Sequence, residues 1–235
     1  MTNHPLIVSY FTPGTAYETR AARLKASVDR LGLESRIEPR AAKGSWVENC
    51  AQKAIFVKEV RERERRPILW VDADAIIRRP LLELVDCSAD LALVKRNGWH
   101  FSGGQIFFAH TAGADTVIDI WCRYCEKFPH IYDQVSLGYA WWDTALTPNP
   151  PTVQWLNEAI LQIEERRLLN RLSRKLFSKA AILHKQESRQ SRELQTVPEK
   201  EPFRSKHLPD WWKGAARKNQ PFPISRDQRL ELGLG

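Results

Sequence analysis

The chain has 235 residues, of which 43% are hydrophobic and 10% are aromatic, so it is long and apolar enough to bury the core of one large domain. Residues 1–165 carry 19 basic and 21 acidic side chains, whereas residues 166–235 carry 17 and 7, so the net charge of +8 comes from the last third of the chain. The start lacks the basic region of a signal peptide, and the longest uncharged stretch, residues 97–114, is too polar for a membrane span, so we expect a cytoplasmic protein without a transmembrane segment.

Strands and helices alternate along the first half of the sequence. Apolar runs predict the strands, and apolar residues spaced by three and four predict the helices between them. Ser45 and Glu48 have the spacing of a capping box, which marks a helix start. The predicted strands are 5–11, 35–39, 67–71, 90–95, 104–109 and 180–184, and the predicted helices are 17–31, 46–65, 117–128, 133–142 and the basic amphipathic segment 164–179. This alternation favours an α/β sandwich with a largely parallel sheet.

Two acidic residues end the third predicted strand, within the stretch ILWVDADAIIRRP at residues 68–80. Ligands of parallel sheets bind beyond the carboxyl ends of the strands. On an extended chain Asp72 and Asp74 point to the same side, and the small Ala73 between them does not block an approaching ligand. Two such carboxylates suit a hard divalent cation, Mg²⁺ or Mn²⁺, which commonly bridges a carboxylate and a diphosphate. A solvated turn or a pair of helix caps would explain the same two acids without any function.

Four cysteines, at positions 50, 87, 122 and 125, fit a reduced compartment. Cys122 and Cys125 form a CxxC pair, which is typical of zinc and redox sites. The chain has no second pair of this kind, and the segment is predicted to be helical, so we favour a structural role for both thiols.

The stretch ILWVDADAIIRRP resembles the DxD segment of the GT-A nucleotide-sugar glycosyltransferases. Further stretches between residues 5 and 190 resemble other motifs of that family in the same order: IVSYFTPG, GSWVENCAQKAIF, HFSGGQIFF, YDQVSLGYA and ILHKQESR. The resemblance implies a single GT-A (Rossmann-like) sandwich over residues 1–190, with a mostly parallel central sheet flanked by helices. Residues 191–235 would then form a basic, proline-spotted extension.

The same resemblance implies roles for individual residues. Asp72, Asp74 and His184 would hold Mn²⁺ or Mg²⁺, and Asp133 and Gln134 would act at the donor sugar or the acceptor. The implied contacts to the nucleotide sugar come from Tyr10, Phe11, Thr12, Lys53, Asp72, Ala73, Ser102, Gly103, Gly104, Lys185 and Arg189, with Ser188 as a further candidate.

Simpler explanations stay open for several of these residues. Residues 102–104 would also suit a plain tight turn before a strand, and Asp133 would also suit a helix cap. A histidine that follows an apolar strand, as His184 does, is usually structural. Trp99 and His100 could contact a sugar or pack in the core.

The implied function is metal-dependent transfer of a sugar from a nucleoside diphosphate sugar, with UDP favoured, to an acceptor hydroxyl. The Asp133-Gln134 pair looks more like that of retaining relatives than that of inverting ones. The charge of residues 166–235 suggests an anionic acceptor, such as a hydroxymethylated base in DNA, lipopolysaccharide, or another phosphate-bearing or lipid-linked glycan. The basic segment 164–179 could also contact an anionic membrane surface.

Two other functions compete with this one. A non-catalytic nucleic-acid-binding protein would use the basic last third and the aromatic DWWK stretch, but this function leaves Asp72, Asp74 and His184 unexplained. A nucleotidyltransferase that makes activated sugars would need a glycine-rich, basic phosphate loop after the first strand, and SYFTPGTAYE lacks one.

Overall fold

The computed structural model describes residues 4–95, 101–129, 131–145, 147–163 and 180–185. Helices and strands alternate as far as β3, and the strands of the described residues build a large and a small β-sheet. In chain order the elements are β1 Leu6–Phe11, α1 Ala16–Asp29, β2 Ser35–Pro39, α2 Trp46–Glu64, β3 Ile68–Val71, β4 Ala75–Ile77, β5 Leu91–Lys95, β6 Phe101–Phe108, α3 Ala112–Lys127, α4 Asp133–Ala145, β7 Val153–Trp155, β8 Leu161–Ile163 and β9 Ile182–His184.

The central sheet has six strands in the order β2-β1-β3-β6-β5-β7. The pairs β1–β2, β1–β3 and β5–β7 are parallel, and β6 runs antiparallel to both of its neighbours, β3 and β5. Residues 96–100 alone separate β5 from β6, and so short a connection permits only an antiparallel pair. The mostly parallel α/β sheet predicted from the sequence is therefore confirmed, with β6 as its antiparallel member.

A small sheet with the order β4-β9-β8 places the far end of the described chain next to the acidic turn. Ala75 of β4 lies opposite His184 of β9, and Ile163 of β8 lies on the other side of His184. The sequence analysis predicted β9, as residues 180–184, but neither β4 nor β8, because strands of three residues are too short to show a periodicity.

The helices pack on both faces of the central sheet, as a sandwich requires. One core cluster includes Val57 of α2, Trp121 of α3 and Leu137 of α4. The cluster on the opposite face includes Leu24 of α1 and Ile182 of β9. The sheet is therefore covered on one face by α2, α3 and α4, and on the other by α1 and the small sheet.

Two local predictions have different outcomes. The capping box is confirmed, because the Ser45 side chain accepts a hydrogen bond from the backbone of Glu48 and the Glu48 side chain accepts one from the backbone of Ser45. The predicted start of the strand 104–109 is wrong by three residues, because β6 already begins at Phe101 and contains Ser102, Gly103 and Gly104.

The predicted helix 164–179 and the predicted extension 191–235 lie outside the described residues. Within the described part of the chain, no helix is both long enough and apolar enough to span a membrane.

Candidate functional site

A cavity of about 550 Å³ opens at the carboxyl ends of β1 and β3. Its wall also includes the first residues of three helices, Ala16 of α1, Trp46 of α2 and Asp133 of α4. Its volume is in the range of small-molecule sites. Of the predicted donor contacts, Tyr10, Phe11, Thr12, Lys53, Asp72 and Ala73 line it.

The two acidic residues lie in a turn between β3 and β4. The backbone N–H of Ala75 donates to the carbonyl of Asp72 at 3.0 Å, which closes the turn. The expectation that Asp72 and Asp74 sit on an extended segment is therefore wrong, because this hydrogen bond bends the chain directly after β3. The turn nevertheless brings both carboxylates to His184, and one ligand atom from each of the three residues lies within 4.8 Å of the other two.

Neighbouring side chains hold two of these three groups in position. The indole Nε1 of Trp70 donates to Oδ1 of Asp72 at 2.9 Å. The Nε2 atom of His184 lies 2.9 Å from Oε1 of the fully buried Gln105. With Nε2 as the donor to the amide oxygen of Gln105, the lone pair of the imidazole is on Nδ1, where a metal ion could be bound.

Lys53 forms the centre of a buried charged cluster. Its Nζ lies 2.7 Å from Oδ2 of Asp133 and 3.2 Å from Oδ1 of Asp72, and it donates to the carbonyl of Gly103 at 3.0 Å. The side chains of Lys53 and Asp133 are only 8% and 2% exposed. Burial alone would lower the pKa of Lys53, but the carboxylates of Asp133 and Asp72 outweigh it and raise the pKa well above its usual value. Lys53 is therefore a permanent cation.

Burial has the larger effect on Asp133 and raises the pKa of its carboxyl group, while the Lys53 ammonium opposes that shift. Asp133 is the first residue of α4, and its backbone carbonyl accepts a hydrogen bond from Nε1 of Trp121 at 3.0 Å. The sequence left open whether its carboxylate caps the helix. In the structure this carboxylate is committed to Lys53.

Gly103 and Gly104 allow two side chains to approach β6 closely. A Cβ atom at position 103 would come within 2.6 Å of Cγ of Gln134, and a Cβ atom at position 104 would come within 2.5 Å of Cε1 of His184. Both distances are far below a normal contact. The tight turn considered for these glycines is absent, and their role is to leave room for Gln134 and His184 beside the strand.

Three aromatic side chains, Tyr17, Trp46 and Tyr132, form another part of the cavity wall. The rings of Trp46 and Tyr132 are stacked with centroids 5.7 Å apart, and Nε1 of Trp46 donates to the hydroxyl of Tyr17 at 3.0 Å. Burial raises the pKa of the Tyr17 and Tyr132 hydroxyls above the usual value, so both stay neutral at physiological pH. This wall offers flat apolar surface to a ligand.

The structure thus brings most of the predicted site residues to one end of the sheet. Lys185 is near the acidic turn, where its backbone N–H approaches the carbonyl of Asp74 at 3.4 Å. Ser102 lies on β6, with its Oγ 3.4 Å from Oε1 of Gln105. Four candidates lie outside the described residues: Trp99, His100, Ser188 and Arg189.

The sequence analysis missed two residues that support the site. Trp70 is two positions before Asp72, and the alternation of a strand already places such a pair on the same side. Gln105 is a polar residue inside an apolar strand, and it is fully buried. A buried amide needs a hydrogen-bonding partner, so this position was a detectable signal.

No protein-family model matches the chain, and no curated protein is similar to it in sequence. Solved structures with the same fold do exist. One is a glycosyltransferase involved in the glycosylation of the major capsid of PBCV-1, at 13% identity and a TM-score of 0.59, over 83% of this chain and 100% of that one. Another is the apo form of the glycosyltransferase GlyE of Streptococcus pneumoniae TIGR4, at 13% identity and a TM-score of 0.50, over 98% of this chain and 64% of that one. The chain therefore has a glycosyltransferase fold.

Proposed function

We propose that the protein is a metal-dependent glycosyltransferase that moves a sugar from a nucleoside diphosphate sugar to an acceptor hydroxyl. The observation that carries this proposal is the convergence of Asp72, Asp74 and His184 at the edge of a cavity of about 550 Å³. The shared fold with two glycosyltransferase structures supports it.

The charges of the cavity wall favour a bound cation. Among the described residues that line the cavity, Asp72, Asp74 and Asp133 are acidic and Lys53 is the basic one. This excess of negative charge repels a diphosphate unless a cation compensates for it. Two carboxylates and an imidazole are donors that Mn²⁺ accepts readily, and Mg²⁺ less so because of the imidazole. When bound, the ion would neutralise the charge that develops on the departing diphosphate.

The remainder of the cavity suits the other parts of a nucleotide sugar. The N-termini of α1, α2 and α4 contribute residues to the wall, and helix N-termini favour anionic groups such as phosphates. The aromatic wall of Tyr17, Trp46 and Tyr132 suits a nucleobase, for which we propose uracil first. Arg189, a further candidate for the diphosphate, lies outside the described residues.

The ion pair between Lys53 and Asp133 favours an orienting role for Asp133 over that of a general base. A base has to be reachable by the acceptor and ready to take a proton. The carboxylate of Asp133 is almost completely buried and lies 2.7 Å from a permanent cation. We infer that Asp133, acting through the Lys53 ammonium, and Gln134 position the donor sugar, and that the enzyme retains the configuration of the anomeric carbon. NMR of the first product formed from an α-linked donor distinguishes an α-product from a β-product and so tests this inference.

Hydrolysis of a panel of UDP-, GDP-, ADP- and dTDP-sugars with Mn²⁺ tests the proposed function. We expect turnover of at least one donor, and a loss of about 100-fold or more in Asp74→Asn, because even second-shell partners of a metal contribute about 10- to 100-fold. Asp29→Asn is the matched control, since Asp29 is an exposed acid of α1 that pairs with Lys25.

Absence of turnover and of binding for every donor, in a protein shown to be folded, would contradict the proposal. Salt-sensitive binding of DNA that persists in Asp74→Asn would then favour the nucleic-acid-binding alternative.

A further inference from the structure

Four aromatic side chains cluster where β6, α4 and β7 meet, outside the cavity. The ring centroid of Phe101 lies 5.8 Å from that of Trp141 and 5.7 Å from that of Trp155, and the rings of Trp141 and Trp155 are 5.8 Å apart. Trp142 lies 6.2 Å from Trp141. Phe101 is fully buried and Trp155 is 43% exposed, so this aromatic cluster extends from the core to the surface.

Trp155 provides the exposed part of the aromatic cluster. It is the last residue of β7, the edge strand of the central sheet, and among the described residues only Leu82 is a comparably exposed large apolar side chain. The Nζ of Lys95, at the end of β5, lies 5.8 Å from the centroid of the Trp155 ring, within reach of a cation–π contact. The surface therefore offers an apolar ring with a cation beside it.

Two neighbouring elements connect the aromatic cluster to the predicted catalytic residues. Phe101 precedes Gly103 by two residues on β6, and Trp141 follows Gln134 by seven residues, or two turns, on α4. Phe101 packs on Trp141, and Gly103 adjoins Gln134. The β6 segment 101–103 and the α4 segment 134–141 therefore lie next to each other along their length. Two strand residues span about 7 Å and seven helix residues about 10 Å. Trp141, the near end of the aromatic cluster, thus lies about 10 Å from Gln134 along α4.

We propose that this aromatic cluster binds the acceptor, and that the acceptor is an oligosaccharide carrying a carboxylate or a phosphate group. One face of a pyranose ring presents C–H groups, which pack against the face of an indole such as that of Trp155. Lys95 pairs with the anionic substituent of the sugar. The inference rests on the proposed glycosyltransferase function and adds to it the subsite that selects the acceptor.

The ratio of sugar transfer to donor hydrolysis tests this subsite. An array of neutral, carboxylated and phosphorylated oligosaccharides identifies the best-bound acceptor, and both reactions are then measured with the same donor. In Trp155→Ala the ratio falls by about tenfold, the effect of losing one aromatic contact, and Trp155→Phe keeps most of it. Lys95→Gln, a substitution at an exposed position, lowers the preference for charged over neutral acceptors by a similar factor. Leu82→Ala is the control and keeps the wild-type ratio.

The outcomes separate the subsite from the proposed function. Transfer to the charged oligosaccharide at the wild-type ratio in Lys95→Gln and in a folded Trp155 variant would overturn the acceptor subsite alone. Tighter binding of single-stranded DNA than of any oligosaccharide would overturn it as well. Absence of donor hydrolysis in the wild-type protein would instead overturn the glycosyltransferase function.

Discussion

Gly104 on β6 leaves the space that the imidazole of His184 on β9 occupies, with a would-be Cβ atom only 2.5 Å from Cε1 of the ring. Because His184 is also hydrogen-bonded to Gln105, it cannot move away from β6 without losing that hydrogen bond. This close approach links the central sheet to the small sheet at the point where the proposed cation ligands meet.

Gly104→Ala is therefore expected to weaken Mn²⁺ binding by about tenfold or more, since a displaced ligand resembles the loss of a second-shell partner. Isothermal titration calorimetry measures the affinity. Gly113→Ala is the matched control, because a Cβ at position 113 would meet the carboxylate of Asp90 equally closely, on another part of the molecule. An unchanged affinity in a folded Gly104→Ala protein would show that His184 is not positioned by this contact.

Lys53→Met leaves the buried carboxylate of Asp133 without its cation. Breaking one partner of a buried ion pair costs about 3–5 kcal/mol, so we expect the free energy of unfolding to fall by that amount in urea titrations. The double variant Lys53→Met with Asp133→Leu should recover most of this stability, because no unpaired charge is left buried. Donor hydrolysis should be lost in the single variant and should not return in the double variant, because both lack the Lys53 ammonium. A double variant that recovers turnover as well as stability would assign the pair a purely structural role.

Trp70→Phe removes the indole N–H that donates to Asp72 but keeps an aromatic ring in the core. We expect donor hydrolysis to fall by about tenfold, mainly in kcat/KM, because Asp72 loses one of the groups that orient it. Phe108→Leu changes the core on the same central sheet but leaves the Trp70 hydrogen bond in place, and serves as the comparison for stability. Equal losses of activity in the two variants would argue against a specific role of the Trp70 hydrogen bond.

Cys122 and Cys125 should be unreactive in the folded protein. Burial raises the pKa of the Cys122 thiol to about 12, and that of Cys125 well above its usual value, so at pH 8 only about one Cys122 in ten thousand is a thiolate. Mass spectrometry after brief alkylation with iodoacetamide should find both unmodified, and both modified in urea. Rapid labelling of either cysteine in the native state, or binding of zinc to the two thiols, would instead support a metal or redox role for the CxxC motif.

The sequence was most informative where polar residues follow apolar strands. Asp72 and Asp74 after ILWV, and His184 after AAIL, stand out because a strand that ends in polar groups leads from the core to a ligand. This pattern predicted which residues belong to the candidate site, but it did not predict the backbone conformation at Asp72 and Asp74. The hydrogen bond that bends the chain at Asp72 is a local interaction that the alternation of a strand does not anticipate.

The parts that the sequence could not supply depend on contacts between distant positions. Lys53 and Asp133 are 80 residues apart, and neither shows from its neighbours that the other is its partner. Gly103 and Gly104 were also compatible with a tight turn before the strand, whereas in the structure both lie on β6 and leave room for side chains of α4 and β9. The antiparallel direction of β6, in contrast, could have been predicted, because even the eight residues between the predicted strands 90–95 and 104–109 are too few for a parallel crossover.

The most direct test of the proposed cation site is a titration of Mn²⁺ in the presence of UDP, in which the electron paramagnetic resonance signal of free Mn²⁺ measures how much of the ion is bound. We predict one saturable site per chain in the wild-type protein and in Asp29→Asn, and its loss in Asp74→Asn. Saturable binding that is unchanged in Asp74→Asn, or no binding by the wild-type protein, would contradict the assignment of Asp72, Asp74 and His184 as the ligands.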